Sequence, residues 1–294
     1  MTMDIIIRKK MLKIQERLGM NIGIAYGVSS IPSVRTTEQA LNALKEIYKV
    51  GLRAFVLPKE LFSGIITSTD IYKNYYGELL RIKETAKKLN IELSIHDPTV
   101  PEYPDEELKL LCTIMSIMDC RTFVIHPDFY KMMPQDQALR LVVHKINEIV
   151  TNLRVKAKIG IETTGRTDSL GSLEDIIEIV KRTYNTEPII NWAHIHARGS
   201  GILRTEEDFR RVIDKVRMSI GQQWLHNAYF FFSGVSYGPS GEISHIPLEQ
   251  SDMKLEYLIR QIMSMGMRGT LIIEDPNKEK TILRMLDRLA DMVR

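Results

Sequence analysis

The sequence predicts an α/β fold, a single (β/α)8 barrel, and three observations predict it. Short apolar runs rich in β-branched residues alternate with amphipathic helical stretches along the chain after residue 20. The alternation occurs eight times in 294 residues, which suits a closed barrel better than an open sheet. No GxGxxG or Walker A loop, such as often opens a doubly wound sheet, is present.

Each element has a local reason. Residues 1–20 read as an N-terminal helical extension, because Met11, Leu12, Ile14 and Leu18 fall near helical spacing. The apolar stretch Ile5-Ile6-Ile7 is too short for a signal-peptide core. Residues 21–294 form the barrel domain, with strands predicted at Asn21–Tyr26, Arg53–Leu57, Glu92–His96, Thr122–His126, Lys158–Glu162, Ile189–His194, Ala228–Ser233 and Thr270–Glu274. Helical periodicity is carried by Leu41, Leu44, Ile47 and Tyr48, and again by Leu141, Ile146 and Ile149. Helix starts are marked by Thr36-Thr37-Glu38, by Ser172 with Asp175, and by Thr205-Glu206-Glu207. No linker or shift in composition divides the chain.

Composition narrows the class. Hydrophobic residues at 44% and charged residues at 26% describe an ordinary globular enzyme. A net charge of +3 permits an anionic partner without requiring one. No apolar run approaches the ~20 residues needed to cross a membrane. Cys112 and Cys120 sit in or beside an apolar helix pattern and read as reduced core residues of a cytoplasmic protein.

In such barrels chemistry gathers at the C-terminal strand ends. Of seven histidines, five (His96, His126, His194, His196 and His245) fall at or just after predicted strand ends, together with Glu162 and Glu274. Imidazole and carboxylate are the ligand set of zinc, manganese or iron. A lone histidine is ordinarily structural; five at one rim argue for a divalent metal, zinc first and manganese as the alternative. His196, two residues past His194, would share its face if the strand stayed regular, making it a possible extra ligand.

The order of these motifs resembles endonuclease IV, the apurinic/apyrimidinic endonuclease family within the xylose-isomerase-like TIM barrel superfamily. That resemblance implies a trinuclear zinc site that cleaves DNA beside an abasic nucleotide flipped out of the stack. It implies metal ligands at His96, at His126 of His126-Pro127, at Glu162 of Ile161-Glu162-Thr163-Thr164-Gly165, and at His194, His245 and Glu274. Glu162 and Glu274 would orient the attacking hydroxide. Three positions depart from the pattern: Asn191 and Ile243 stand where aspartates are expected, and Phe231 where a histidine is expected. Glu242 could replace the carboxylate missing at Ile243 if the loop differs. One set, His96, His126 and Glu162, is whole, so fewer than three ions are expected.

On this resemblance the partner is DNA containing abasic sites, bound by a monomer. Candidate phosphate contacts are Arg198 beside glycines, Arg166, Arg204, Lys59 and Lys131. Tyr26 and Tyr237 could stack in the gap left by a flipped nucleotide. Two alternatives remain open. One is a sugar isomerase or epimerase using Glu162 and Glu274 as a proton-shuttling pair. The other is a non-catalytic relative that still binds metal or nucleic acid.

Overall fold

The structure is a computed structural model that describes residues 3–97, 105–128, 133–153 and 158–294. Eight parallel strands close into a barrel in the order β1-β10-β7-β6-β5-β4-β3-β2. They are β1 Met20–Ala25, β2 Ala54–Pro58, β3 Glu92–Asp97, β4 Thr122–Ile125, β5 Lys158–Glu162, β6 Thr186–Asn191, β7 Ala228–Phe232 and β10 Gly269–Ile273. An antiparallel hairpin, β8 Gly234–Gly238 and β9 Gly241–Ile246, is inserted between β7 and β10. The predicted fold is thus observed, and the hairpin is an addition that the strand periodicity did not announce.

The helices form where their caps are. Thr36 accepts from the Gln39 amide to start Thr37–Val50, and Gly51 at φ 84° ends it. Ser172 with Asp175, and Thr205 with Asp208, close reciprocal capping boxes. The N-terminal helix Met3–Leu18 buries Met11, Ile14 and Leu18. Its Gln15 side chain donates to the Gly51 carbonyl at 2.8 Å and accepts from the Ile22 amide at 2.7 Å. This stitches the helix to β1 and to the turn that leads into β2.

The core has two layers because successive strand residues face opposite sides. Tyr229 and Phe231 belong to the small cluster with Ala25, Ala54, Val56, Val124, Ile189 and Ile272 that fills the barrel interior. Phe230 and Phe232 belong to the large outer cluster, and Trp192 and Phe209 pack with them beneath the helices. The same alternation carries His96, Glu162 and Asn191 to the inner upper rim.

Strand six departs from its expected course. It ends at Asn191, and Trp192–Arg198 is a helix. The cause is local: the Asn191 side-chain oxygen Oδ1 accepts from the Ala193 and His194 amides, which makes Asn191 a helix N-cap. His196 therefore lies on a helical turn rather than on one strand face with His194. Among the described residues no helix is long and apolar enough to cross a membrane.

Candidate metal centre

The ends of β3, β4 and β5 bring together His96, His126 and Glu162. His96 Nε2 lies 2.7 Å and His126 Nε2 3.3 Å from Glu162 Oε2. Glu162 is wholly buried and His96 nearly so. Although close, these three atoms are not in hydrogen-bond geometry with any partner. Buried polar atoms are ordinarily satisfied, so three converging orphans fit a cation coordinated by all of them. Burial pushes the Glu162 carboxyl up, but His96 and His126 outweigh it and hold the group well below the carboxylate range. His126 is raised: burial lowers it, and the facing Glu162 carboxylate more than compensates.

A second group forms from His194, Glu242 and His245. His194 Nε2 is 3.1 Å from Glu242 Oε2, and His245 Nε2 is 3.3 Å from Glu242 Oε1. His194 Nδ1 bonds the Thr163 carbonyl, which can only accept, so Nδ1 carries the proton and Nε2 keeps its lone pair. Burial lowers the His194 pKa despite the opposing Glu242 and Glu162 carboxylates. In each group the three donor atoms lie within 4.8 Å of one another.

The hairpin makes the second group possible. Its Glu242 amide donates to the Gly165 carbonyl at 3.0 Å. A Cβ on Gly165 would stand 2.2 Å from Glu242 Oε2, so only glycine leaves room for that carboxylate. Ile243, at the position where an aspartate was expected, points outward with 71% exposure. Glu242, the neighbouring residue, instead stands within reach of His194 and His245.

Asn191 and Phe231 occupy the ground between Glu162 and Glu274. With its oxygen committed to the helix cap, the Asn191 side chain must turn its NH2 toward the carboxylates. Nδ2 donates to Glu162 Oε1 at 2.8 Å and to Glu274 Oε2 at 3.5 Å. Phe231 is fully buried, pairs with Asn191 in register, and lies 5.3 Å from the His96 ring. An amide donor and an apolar ring thus stand where a third cation would need ligands.

Other predicted residues are placed differently from expectation. His196 is no part of either group: Nε2 faces Asp252 at 2.9 Å and Nδ1 accepts from the Leu203 amide at 3.0 Å. Asp252 also accepts from the Tyr237 hydroxyl at 2.7 Å, so this network ties the hairpin to the helix Trp192–Arg198. Arg198 bonds the carbonyls of Arg166 and, at 2.9 Å, Ser169, bracing the loop after β5 rather than facing outward. Arg166 pairs with Asp168 at 2.7 Å, Lys59 with Asp97 at 2.8 Å and Arg204 with Asp252 at 3.3 Å. Lys131 lies outside the described residues. Tyr26 lies at the rim, its hydroxyl bonded to His96 Nδ1.

Both groups open onto one cavity of about 460 Å³ lined by Tyr26, Asp128, Arg166, Glu274 and the ligand residues His126 and Glu242, among others. Asp128 was missed from sequence. It follows His126-Pro127 closely enough that the same strand end could have suggested it. Eight parallel strands define a (β/α)8 barrel, and two groups of histidine and carboxylate side chains that could hold a metal ion stand at its C-terminal rim.

The chain belongs to the xylose isomerase-like TIM barrel family, whose model matches residues 44–292. An uncharacterized protein of Methanocaldococcus jannaschii is 24% identical over 268 residues, covering 89% of this chain and 95% of that protein. A D-tagatose 3-epimerase-like protein superposes with a TM-score of 0.65 at 16% identity, covering 93% of this chain and 98% of that one. The IolI protein with a bound zinc atom gives 0.61 at 13% identity, covering 92% and 95% respectively. Identities this low speak for the fold. The resemblance read from sequence holds at the level of the superfamily; several of the similar barrels are named as epimerases or isomerases.

Proposed function

We propose that this protein is a metal-dependent isomerase or epimerase of a small polyhydroxylated carbonyl compound. The observation that carries this reading is the commitment of the basic residues. Each described arginine or lysine put forward for DNA phosphates is already ion-paired or bonded to backbone carbonyls. What remains open is a compact cavity of about 460 Å³, within the range of small-molecule sites. The similar barrels named as sugar epimerases lend the reading support.

Divalent ions bound there, zinc or manganese, would polarise the substrate carbonyl and acidify the adjacent C–H. His96, His126 and Glu162 would hold one ion; His194, Glu242 and His245 would hold a second. Glu162 is buried beneath the cavity and engaged by both histidines, so it does not serve as the shuttling base. Glu274 lines the cavity and takes that role. Asp128 lines it too. The strands that precede these carboxylates, β10 and β4, stand on opposite sides of the barrel. Proton removal from one face and return to the other needs carboxylates so disposed.

The test is solvent exchange. Zinc- or manganese-loaded protein is incubated in D2O with a panel of ketopentoses, ketohexoses and their phosphates, and carbon-bound deuterium is read by NMR. We expect deuterium next to the carbonyl, lost in Glu274→Gln. A duplex with one abasic site is the parallel arm. Metal-dependent nicking without exchange would replace this reading with a two-ion phosphodiesterase, the second reading, which the paired histidine-rich groups favour. Binding of that duplex without nicking would point to the non-catalytic relative.

A further inference from the structure

His96 divides its two ring nitrogens between two neighbours. Nε2 faces Glu162 Oε2 at 2.7 Å, and Nδ1 is hydrogen bonded to the Tyr26 hydroxyl. A neutral imidazole carries one proton. For Nε2 to offer a lone pair to a cation, that proton must sit on Nδ1, and a buried Nδ1–H needs an acceptor. Among the described residues the group bonded to that nitrogen is the Tyr26 hydroxyl.

The backbone is arranged to put it there. Tyr26 adopts φ 68°, the left-handed region that bulky residues rarely enter. Surrounding bonds enforce it: the Tyr26 amide donates to the Val56 carbonyl at 2.8 Å, and its carbonyl accepts from the Val34 amide at 2.9 Å. A Cβ on Gly27 would stand 2.1 Å from the Ile31 carbonyl, so the chain turns tightly at once after Tyr26. The phenol ring stacks on the His96 ring, with centroids 5.8 Å apart. Backbone outliers of this kind persist where the surroundings over-determine them, and they cluster at functional sites.

We infer that Tyr26 is a positioning residue that holds the His96 ring, supplies the acceptor its Nδ1–H needs when Nε2 ligates, and so tunes the first metal position. The inference rests on the metal-dependent reading above. His194 offers the contrast. Its Nδ1 partner is a backbone carbonyl, which fixes one tautomer in every state. A hydroxyl both donates and accepts, so Tyr26 serves His96 in either tautomer. Without a cation it donates to Nδ1 while Nε2–H faces Glu162. With Nε2 ligating, it accepts from Nδ1–H and turns its own proton toward the cavity that Glu274 also lines. Loading of the first position is thereby coupled to the direction of a hydroxyl at the cavity wall.

The experiment is a zinc titration of metal-stripped wild type and Tyr26→Phe against a chromophoric chelator, joined to histidine-selective 15N NMR of the zinc-loaded proteins. Tyr26→Phe keeps the ring and removes only the hydroxyl. We expect affinity at the first position to fall about 10- to 100-fold, the range for loss of a ligand's hydrogen-bond partner, with the second position unchanged. The wild-type spectrum should show a His96 Nδ1–H protected from exchange, and the variant should lose that protection. Equal affinity and equal protection in the two proteins would overturn the role of Tyr26 alone. A zinc-loaded wild type without Nδ1–H on His96 would do so too, without recourse to the variant. A wild type that takes up no zinc would overturn the metal reading itself.

Discussion

Two corners of one cavity carry the same donors, two imidazoles and a carboxylate, on different supports. His96, His126 and Glu162 sit at the ends of three consecutive barrel strands. There the β register sets side-chain direction and neighbouring strands hold each backbone in place. His194, Glu242 and His245 come from the first turn of a helix and from a hairpin outside the barrel. Polar contacts tether that hairpin: the Glu242 amide to the Gly165 carbonyl, the Thr167 amide to the Ser240 carbonyl, and the Tyr237 hydroxyl to Asp252 and Arg204, with Asp252 in turn facing His196. Equal chemistry on unequal scaffolds should bind metal unequally, because preorganisation of the ligands sets how much ordering the ion must impose.

The largest expected effect comes from removing the barrel corner. Glu162→Ala takes the carboxylate from between His96 and His126 and should eliminate both the first ion and all turnover. Elemental analysis of protein purified without chelator should fall from about two equivalents to about one. Unchanged metal content or activity would show that this corner is not the centre.

Next is a gain that tests why the two corners stay separate. Asn191→Asp with Phe231→His supplies ligands between Glu162 and Glu274, where an amide and a phenyl ring now stand. Metal content should rise by about one equivalent, completing a histidine and carboxylate set. Asn191→Asp alone sets a third carboxylate beside two others and should lower the metal-free melting temperature, with zinc restoring it. A metal-free protein as stable as wild type would refute the idea that the Asn191 amide offsets the two carboxylates.

The smallest effect should come from loosening the hairpin. Tyr237→Phe removes one bond to Asp252 and should weaken the second ion by about tenfold while the first holds. Thiol reactivity supplies the control for an intact barrel. Burial pushes the Cys112 thiol up to about 12 and raises the Cys120 thiol as well, so neither should react with a disulfide reagent at pH 8 in the folded protein. Reactive thiols in Tyr237→Phe would mean that the change had opened the core and not the hairpin alone.

Much of the barrel corner was legible in the residue order. A strand has a period of two, so a histidine or glutamate closing an apolar run falls at a foreseeable face, as with His96, His126 and Glu162. Strand six was misread because Asn191 looks like a strand residue until its side chain is seen capping a helix. Glu242 was weighed only as a substitute for the ligand missing at Ile243. Which of two adjacent residues faces inward depends on a β-bulge at Ser236/Tyr237 and on a contact with Gly165. Arg198 and His196 suggested ligand contacts by their neighbourhood alone; the partners that engage them come from loops distant in sequence.

By itself the sequence determined the alternation of strand and helix, the barrel, and the donors on its inner rim, because hydrophobic period and strand parity are local properties of the chain. Tertiary structure decided the rest. It set the hairpin's place, the turning of the Asn191 amide toward two carboxylates, the engagement of the rim arginines, and the meeting of Tyr26 with His96 across 70 residues. Those outcomes depend on which distant groups meet, and a side chain's hydrogen bonds are settled only when its neighbours are in place.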